Sequence, residues 1–159
     1  METKDLMYKC AYVWDKLNAE ERKACMDMGE DYKAFLNESK TERRCAAEII
    51  RRAKEAGFVC ICEKKELKAG DKVYYNNRGK AVMLSVIGSE PLENGMNIVG
   101  SHIDSPRLDI KQNPVYEAGG TTLLKTHYYG GVKKYQWVAL PLALYGVIVK
   151  ANGEKVEIA

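Results

Sequence analysis

No run of apolar residues in this sequence is long enough to cross a bilayer. The longest nearly apolar stretch, residues 137–149, is interrupted by Pro141 and Gly146 and falls well short of the roughly 20 residues a spanning helix needs. The first residues, Met-Glu-Thr-Lys-Asp, lack the basic and then apolar regions of a secretory signal. There is no low-complexity tract, collagen-like period or internal repeat. Charge of one sign is not in excess either. The 25 Lys and Arg are nearly balanced by 22 Asp and Glu, leaving +3, too little for an electrostatic grip on nucleic acid. These absences predict a soluble, cytoplasmic protein with neither a membrane nor a nucleic acid as partner.

What is present is ordinary for a folded domain: 159 residues, 46% hydrophobic and 30% charged, enough for one domain or one domain and part of another. The five cysteines are odd in number and come without a signal, which argues against a disulfide framework. Cys10, Cys25 and Cys45 fall at apolar positions of expected helices, where Cys acts as a small hydrophobe. Cys60 and Cys62 have no second Cys or His pair at zinc-finger spacing, so packing in a strand is the expectation for both.

The hydrophobic period is helical first and strand-like later. Leu6, Cys10, Val13 and Leu17 mark one amphipathic helix; Cys25, Met28, Tyr32, Phe35 and Leu36 mark a second. A third has Cys45, Ala46, Ile49, Ile50 and Ala53 on one face. Ser39 and Glu42 form a capping-box pattern at its start, and Gly57 supplies a stop. Arg43, Arg44, Arg51 and Arg52, with Glu48 and Glu55, are expected on its solvated face. Beyond Gly57, residues 58–60 form a short apolar run. Residues 72–75 and 81–87 flank a turn-rich Asn76-Asn-Arg-Gly79 that predicts a hairpin. A buried strand is expected over 96–100, an alternating strand over 107–111 ended or edged by Pro114, and residues 144–150 are a β-branched run. Asn152-Gly153 is a type I′ signal before residues 155–158. Helices first and strands after predict an α/β or α+β fold. The last hairpin begins a sheet just where the sequence ends, which predicts an N-terminal portion of a longer protein.

Chemistry concentrates in residues 99–109. In His102-Ile-Asp104, side chains two apart share one side of an extended strand. Neutral imidazole is a common metal ligand whose second nitrogen needs an orienting partner. Asp104 can hold that nitrogen or act on a metal-bound water, while Pro106 ends the strand and keeps the site at its carboxyl edge, where α/β folds place ligands. Alone, His-x-Asp is weak, because catalytic zinc takes three protein ligands. His127 lies in a Tyr-Gly-Gly segment better suited to a turn and an interface than to chemistry. Lys133 and Lys134 beside it are expected in solvent, and Arg107 and Asp109 on the polar face of a strand.

The longer string Gly100-Ser-His-Ile-Asp-Ser-Pro-Arg-Leu-Asp-Ile-Lys111 resembles the first metal-ligand motif of the M18 family of metallo-aminopeptidases, the aspartyl aminopeptidase and aminopeptidase I group. Phe35-Leu-Asn-Glu-Ser-Lys40 with the helix that follows resembles the family's N-terminal helix and its exit, Thr126-His-Tyr-Tyr-Gly-Gly131 its Tyr-Gly-Gly-rich segment, and Pro141-Leu-Ala-Leu-Tyr-Gly-Val-Ile-Val149 the entry into its second domain, all in the family's order. The resemblance implies N-terminal helices and part of a zinc-peptidase mixed sheet over 1–143, then the truncated start of an inserted β-rich dimerisation domain over 144–159. It implies an exopeptidase that removes N-terminal residues from peptides, acidic or neutral, with a pair of zinc ions (manganese or cobalt as substitutes), and a homo-oligomer, a dodecamer in many members. His102 matches the first metal ligand, and Asp104 the acid that orients it and supports catalysis. The family's remaining ligands belong to a region beyond residue 159. One ligand cannot hold a dinuclear site, so the isolated chain is expected to be inactive. The rival expectation is a truncated, non-catalytic relative that serves as a binding or assembly module.

Overall fold

The computed structural model describes Met7 and residues 10–159. It divides into two units, Met1–Glu38 and Ser39–Ala159.

In the first unit, α1 is a single turn, Val13–Lys16, and α2 runs from Ala19 to Glu38. Leu6, the first apolar position of the expected N-terminal helix, lies outside the described residues; Cys10 precedes α1 and is exposed. A reciprocal cap starts α2: Glu21 N donates to Asn18 Oδ1 (2.9 Å) and Asn18 N to Glu21 Oε2 (2.8 Å). This Asn-x-x-Glu box satisfies two of the donors that a helix start leaves open. No residue of α2 is buried. Cys25 is exposed rather than packed, and Met28 and Tyr32 lie open at 75% and 58% exposure. The apolar stripe is present, and none of it is buried among the described residues. Spaced ion pairs, Lys23 with Asp27 and Lys33 with Glu30, support the helix locally.

In the second unit, α3 spans Glu42–Glu55. Its N-cap is Thr41, whose side chain accepts from Arg44 N at 3.3 Å, and not Ser39. The hydroxyl at 41 reaches the backbone three residues on, the geometry a cap requires. The shift releases Glu42 from capping. At the other end Phe58 N donates to Ala53 O and Gly57 N to Lys54 O, with Gly57 at φ +85. That pair of bonds is a Schellman motif, and its left-handed residue favours glycine.

Cys45, Ala46 and Ala53 of α3, with Val73 and Tyr74, form the buried core. The sheet under α3 is mixed. β1 (Val59–Cys60) runs parallel to β2 (Lys72–Asn77), which pairs antiparallel with β3 (Ala81–Val86). At the expected hairpin, Arg78 and Gly79 both take positive φ and Lys80 N donates to Asn77 O. Glu48 is a correction. It is 8% exposed, not solvated, and is clasped by Arg51 and Arg52 of its own helix. Cys60 and Cys62 are another: they are joined in a disulfide, the 3-10 turn Ile61–Glu63 bringing their Cα atoms to 5.2 Å.

Three strand expectations also change. Residues 96–100 form no strand; Ile98 and Val99 are 78% and 100% exposed. A strand needs neighbours to take up its N–H and C=O groups, and no described strand pairs with this one. Pro114 lies inside β4 (Arg107–Ala118) rather than ending it. The register slips there, Lys111 to Pro114 standing opposite Lys125 alone, and such a bulge accommodates a residue without an N–H. The partner, β5 (Thr121–Tyr129), is a strand the sequence pattern did not mark; it takes in His127, Tyr128 and Tyr129 and stops just before Gly130 and Gly131. β4 and β5 meet at Gly119 and Gly120, both at positive φ, the I′ pattern of a two-residue hairpin.

β6 (Gly146–Val149) and β7 (Lys155–Ile158) form a separate ribbon. Its turn is not type I′, since only Gly153 has positive φ. Gly153 N donates to Lys150 O and Lys150 N to Glu154 O, a longer loop that ends in a left-handed glycine. Mixed helices and sheets thus make the α/β architecture expected from the sequence, and no described helix is long and apolar enough to cross a membrane.

Candidate metal-ligand site

Residues 101–106 are an irregular segment leading into β4, not the end of a strand. Even so, they bring His102 and Asp104 together. His102 Nδ1 lies 2.7 Å from the Asp104 backbone oxygen and 3.4 Å from Asp104 Oδ1. A carbonyl only accepts, so Nδ1 carries the proton in this contact. In the neutral ring that leaves the lone pair on Nε2. The imidazole side chain is 82% exposed, and Asp104 is one-third exposed.

Asp104 is held by the last residue of β5. The Tyr129 hydroxyl donates to its carboxylate and keeps the carboxyl below its ordinary range. The same bond to Asp104 raises the Tyr129 phenol. The Arg107 guanidinium sits 4.2 Å from the centre of the Tyr129 ring, a cation–π contact. Arg107 in turn pairs with Asp109 (2.7 Å) and with Glu42 of α3 (2.8 Å). The first turn of α3, the start of β4 and the end of β5 are thereby tied to the His102 segment. Register explains the grouping, because Arg107 stands opposite Tyr129 and Asp109 opposite His127.

Gly130 adds a steric lock. It takes φ +75, and a Cβ there would lie 3.3 Å from Pro106 Cα. Pro106 therefore does not end a strand; it is the close-packed residue before β4. His127 stacks on Tyr128 at 5.3 Å, in keeping with the structural role expected of the Tyr-Gly-Gly segment. Lys134 is not simply solvated, since its ammonium lies 4.4 Å from the Tyr128 ring centre.

Sequence reasoning found His102 and Asp104 but missed Tyr129, Arg107 and Glu42 as their support. Gly119-Gly120 was the available signal: a two-glycine turn would have predicted β5 and put Tyr129 beside Arg107. Among the described residues no three His, Cys, Asp or Glu side chains gather closely enough to hold a metal ion. The segment offers one imidazole with a fixed tautomer, which suits a single ligand of a larger site.

Comparison with known proteins identifies the family. The family model described as aminopeptidase I zinc metalloprotease (M18) matches residues 35–159. A probable M18 family aminopeptidase 1 from Clostridium acetobutylicum is 49% identical over 97% of this chain and 34% of its own length. The Thermotoga maritima protein of the same name is 43% identical over 92% of this chain and 32% of its own. The crystal structure of aminopeptidase I from Borrelia burgdorferi superimposes with a TM-score of 0.89 at 47% identity, over 93% of this chain and 37% of that one. The chain thus spans about a third of the length of the curated relatives it matches. Matched by the family model over most of its length, and by relatives in both sequence and fold, the chain belongs to the M18 family of aminopeptidase I zinc metalloproteases.

Proposed function

We propose that this chain supplies the first metal ligand, His102, and its orienting acid, Asp104, to a zinc-dependent aminopeptidase. The observation that carries the proposal is the contact between His102 Nδ1 and the Asp104 carbonyl. It fixes the tautomer in which Nε2 is the free donor. Metal-binding histidines use such a second bond to set ring orientation and basicity.

A bound zinc pair supplies Lewis-acid polarisation of the scissile carbonyl and an acidified water. The chain's own residues do the positioning. Asp104 anchors the imidazole through its backbone and lends negative charge at 3.4 Å, while Tyr129, backed by Arg107, keeps that carboxylate ionised and in place. A carboxylate so held is suited to assist proton transfer to the leaving amine. Substrates are peptides with a free N-terminus, acidic or neutral at that position. Manganese and cobalt are substitutes the donor types also accept.

Residues 1–143 form the N-terminal part of the catalytic domain, and 144–159 the first ribbon of the dimerisation domain. Support for that boundary is the separate pairing of β6 with β7 and the exposure of Leu144, Ile148 and Val149, apolar surface of the kind a homo-oligomer covers.

The test is a chimera in which this chain replaces the matched third of the Clostridium acetobutylicum relative, assayed on leucine and aspartate p-nitroanilides with and without chelator. Chelator-sensitive turnover by the chimera, and none by the 159-residue chain alone, is expected. A folded chimera without turnover would move the assignment to a non-catalytic assembly module.

A further inference from the structure

We propose that Cys60 and Cys62 are a reversible thiol–disulfide pair, a redox modification site at the end of β1 that exchanges with small disulfides such as oxidised glutathione. The two are joined across one intervening residue with Cα atoms 5.2 Å apart, inside the range that bridges without backbone movement. The 3-10 turn Ile61–Glu63, closed by Lys64 N donating to Ile61 O at 3.1 Å, holds that approach. Bringing the sulfurs together therefore needs no rearrangement of the sheet.

Two features set this bridge apart from a structural staple. Closing a loop of one intervening residue removes very little chain entropy from the unfolded state, because the gain grows with loop length. The strand is already placed without it, Val59 pairing with Val73 and Cys60 with Tyr74. The bridge is also open to reagents: Cys62 is exposed, Cys60 is half-buried, and β1 is an edge strand among the described strands of its sheet. Exposed disulfides of this kind are the ones that exchange.

Exposure also orders the chemistry. The Cys62 thiolate attacks one sulfur of oxidised glutathione; that S–S bond breaks and one glutathione thiolate leaves. The Cys60 thiolate then attacks the Cys62 sulfur, forming the internal bridge and expelling the second glutathione. The protein pair gives up two electrons and two protons, and the glutathione disulfide is reduced to two thiols. Excess glutathione drives both steps backwards. Cys45 takes no part, being buried, with its thiol pushed up by that burial and so poorer in the reactive thiolate.

The experiment equilibrates the reduced chain in buffers of rising oxidised-to-reduced glutathione ratio, quenches in acid, alkylates under denaturing conditions and reads intact and peptide masses. In the peptide holding residues 60–62, read apart from those of the exposed Cys10 and Cys25, wild type is expected to lose both alkylation sites, to retain no glutathione, and to recover both sites when glutathione is added back. Cys60→Ser is expected to stop at one glutathione held on Cys62, for want of the resolving thiol. Amide exchange at residues 61–64 is expected to slow on oxidation. Full alkylation across the whole series would overturn the proposal, and so would a bridge that resists excess glutathione. The wild-type titration decides this without any variant having to fold, and Cys60→Ser that collects no glutathione on Cys62 would refute the order of attack.

Discussion

Replacing Glu48 by Gln removes one negative charge from the middle of α3 while keeping the side chain's size. Glu48 is nearly buried and accepts three short bonds: Arg51 Nε and Nη2 and Arg52 Nε, each at 2.7 Å. Those hydrogen bonds pull its carboxyl from 4.5 down to about 2. At about 1.36 kcal/mol per pKa unit, the full shift corresponds to a ceiling of about 3 kcal/mol. Arg51 is half exposed, and water screens its share, so about 1–2 kcal/mol is the expected loss at neutral pH. The sign follows from a lowered carboxyl: the contribution is fully present above about 4.5 and fades as pH falls from there through about 2. Urea unfolding by circular dichroism at pH 7, 5 and 3 should show Glu48→Gln less stable at pH 7, with the gap to wild type more than halved by pH 3. Equal stability at pH 7, or a gap that stays constant down to pH 3, would refute the argument.

Gly130→Ala has to move Pro106 as well as adopt φ +75, whereas Gly57→Ala meets nothing within 4 Å and bears only the cost of its φ +85. Each is expected to lose stability by about 1 kcal/mol from the backbone alone, and only Gly130→Ala is expected also to slow the chimera's turnover. Thermal unfolding beside initial rates checks this, and equal rates for the two variants would contradict it. Tyr129→Phe keeps the ring under Arg107 and deletes the hydroxyl bond to Asp104. Turnover in the chimera should fall about tenfold, the scale of one hydrogen bond to a charged group, with KM unchanged and a small drop in melting temperature; a KM effect alone would place Tyr129 in substrate binding instead.

The parts legible in the sequence are those governed by neighbours in the chain. Gly57 announced the end of α3 because a left-handed residue is needed there. The pairing of 72–77 with 81–86 followed from alternation around a turn, and His102 met Asp104 because only one residue separates them. Ser39 fits the capping-box pattern by side-chain type, whereas position as the last non-helical residue gives the bond to Thr41. Glu48 looked like surface because a charge was assumed to seek water; two arginines of the same helix allow it to be buried. The support behind the site was hidden for a different reason. Glu42, Arg107 and Tyr129 are distant in sequence and meet only after β4 and β5 pair. Residues 96–100 carry a strand's composition, but a strand exists only where a neighbour pairs with it.

The most direct test of the account is the tightly bound zinc of the chimera, measured after exhaustive dialysis with and without His102→Ala. A metal held in part by His102 Nε2 predicts that His102→Ala loses zinc and surrenders the remainder to a weaker chelator than wild type does. Equal zinc content and equal chelator resistance in a folded His102→Ala chimera would contradict it, leaving His102 as a hydrogen-bonded surface residue beside Asp104.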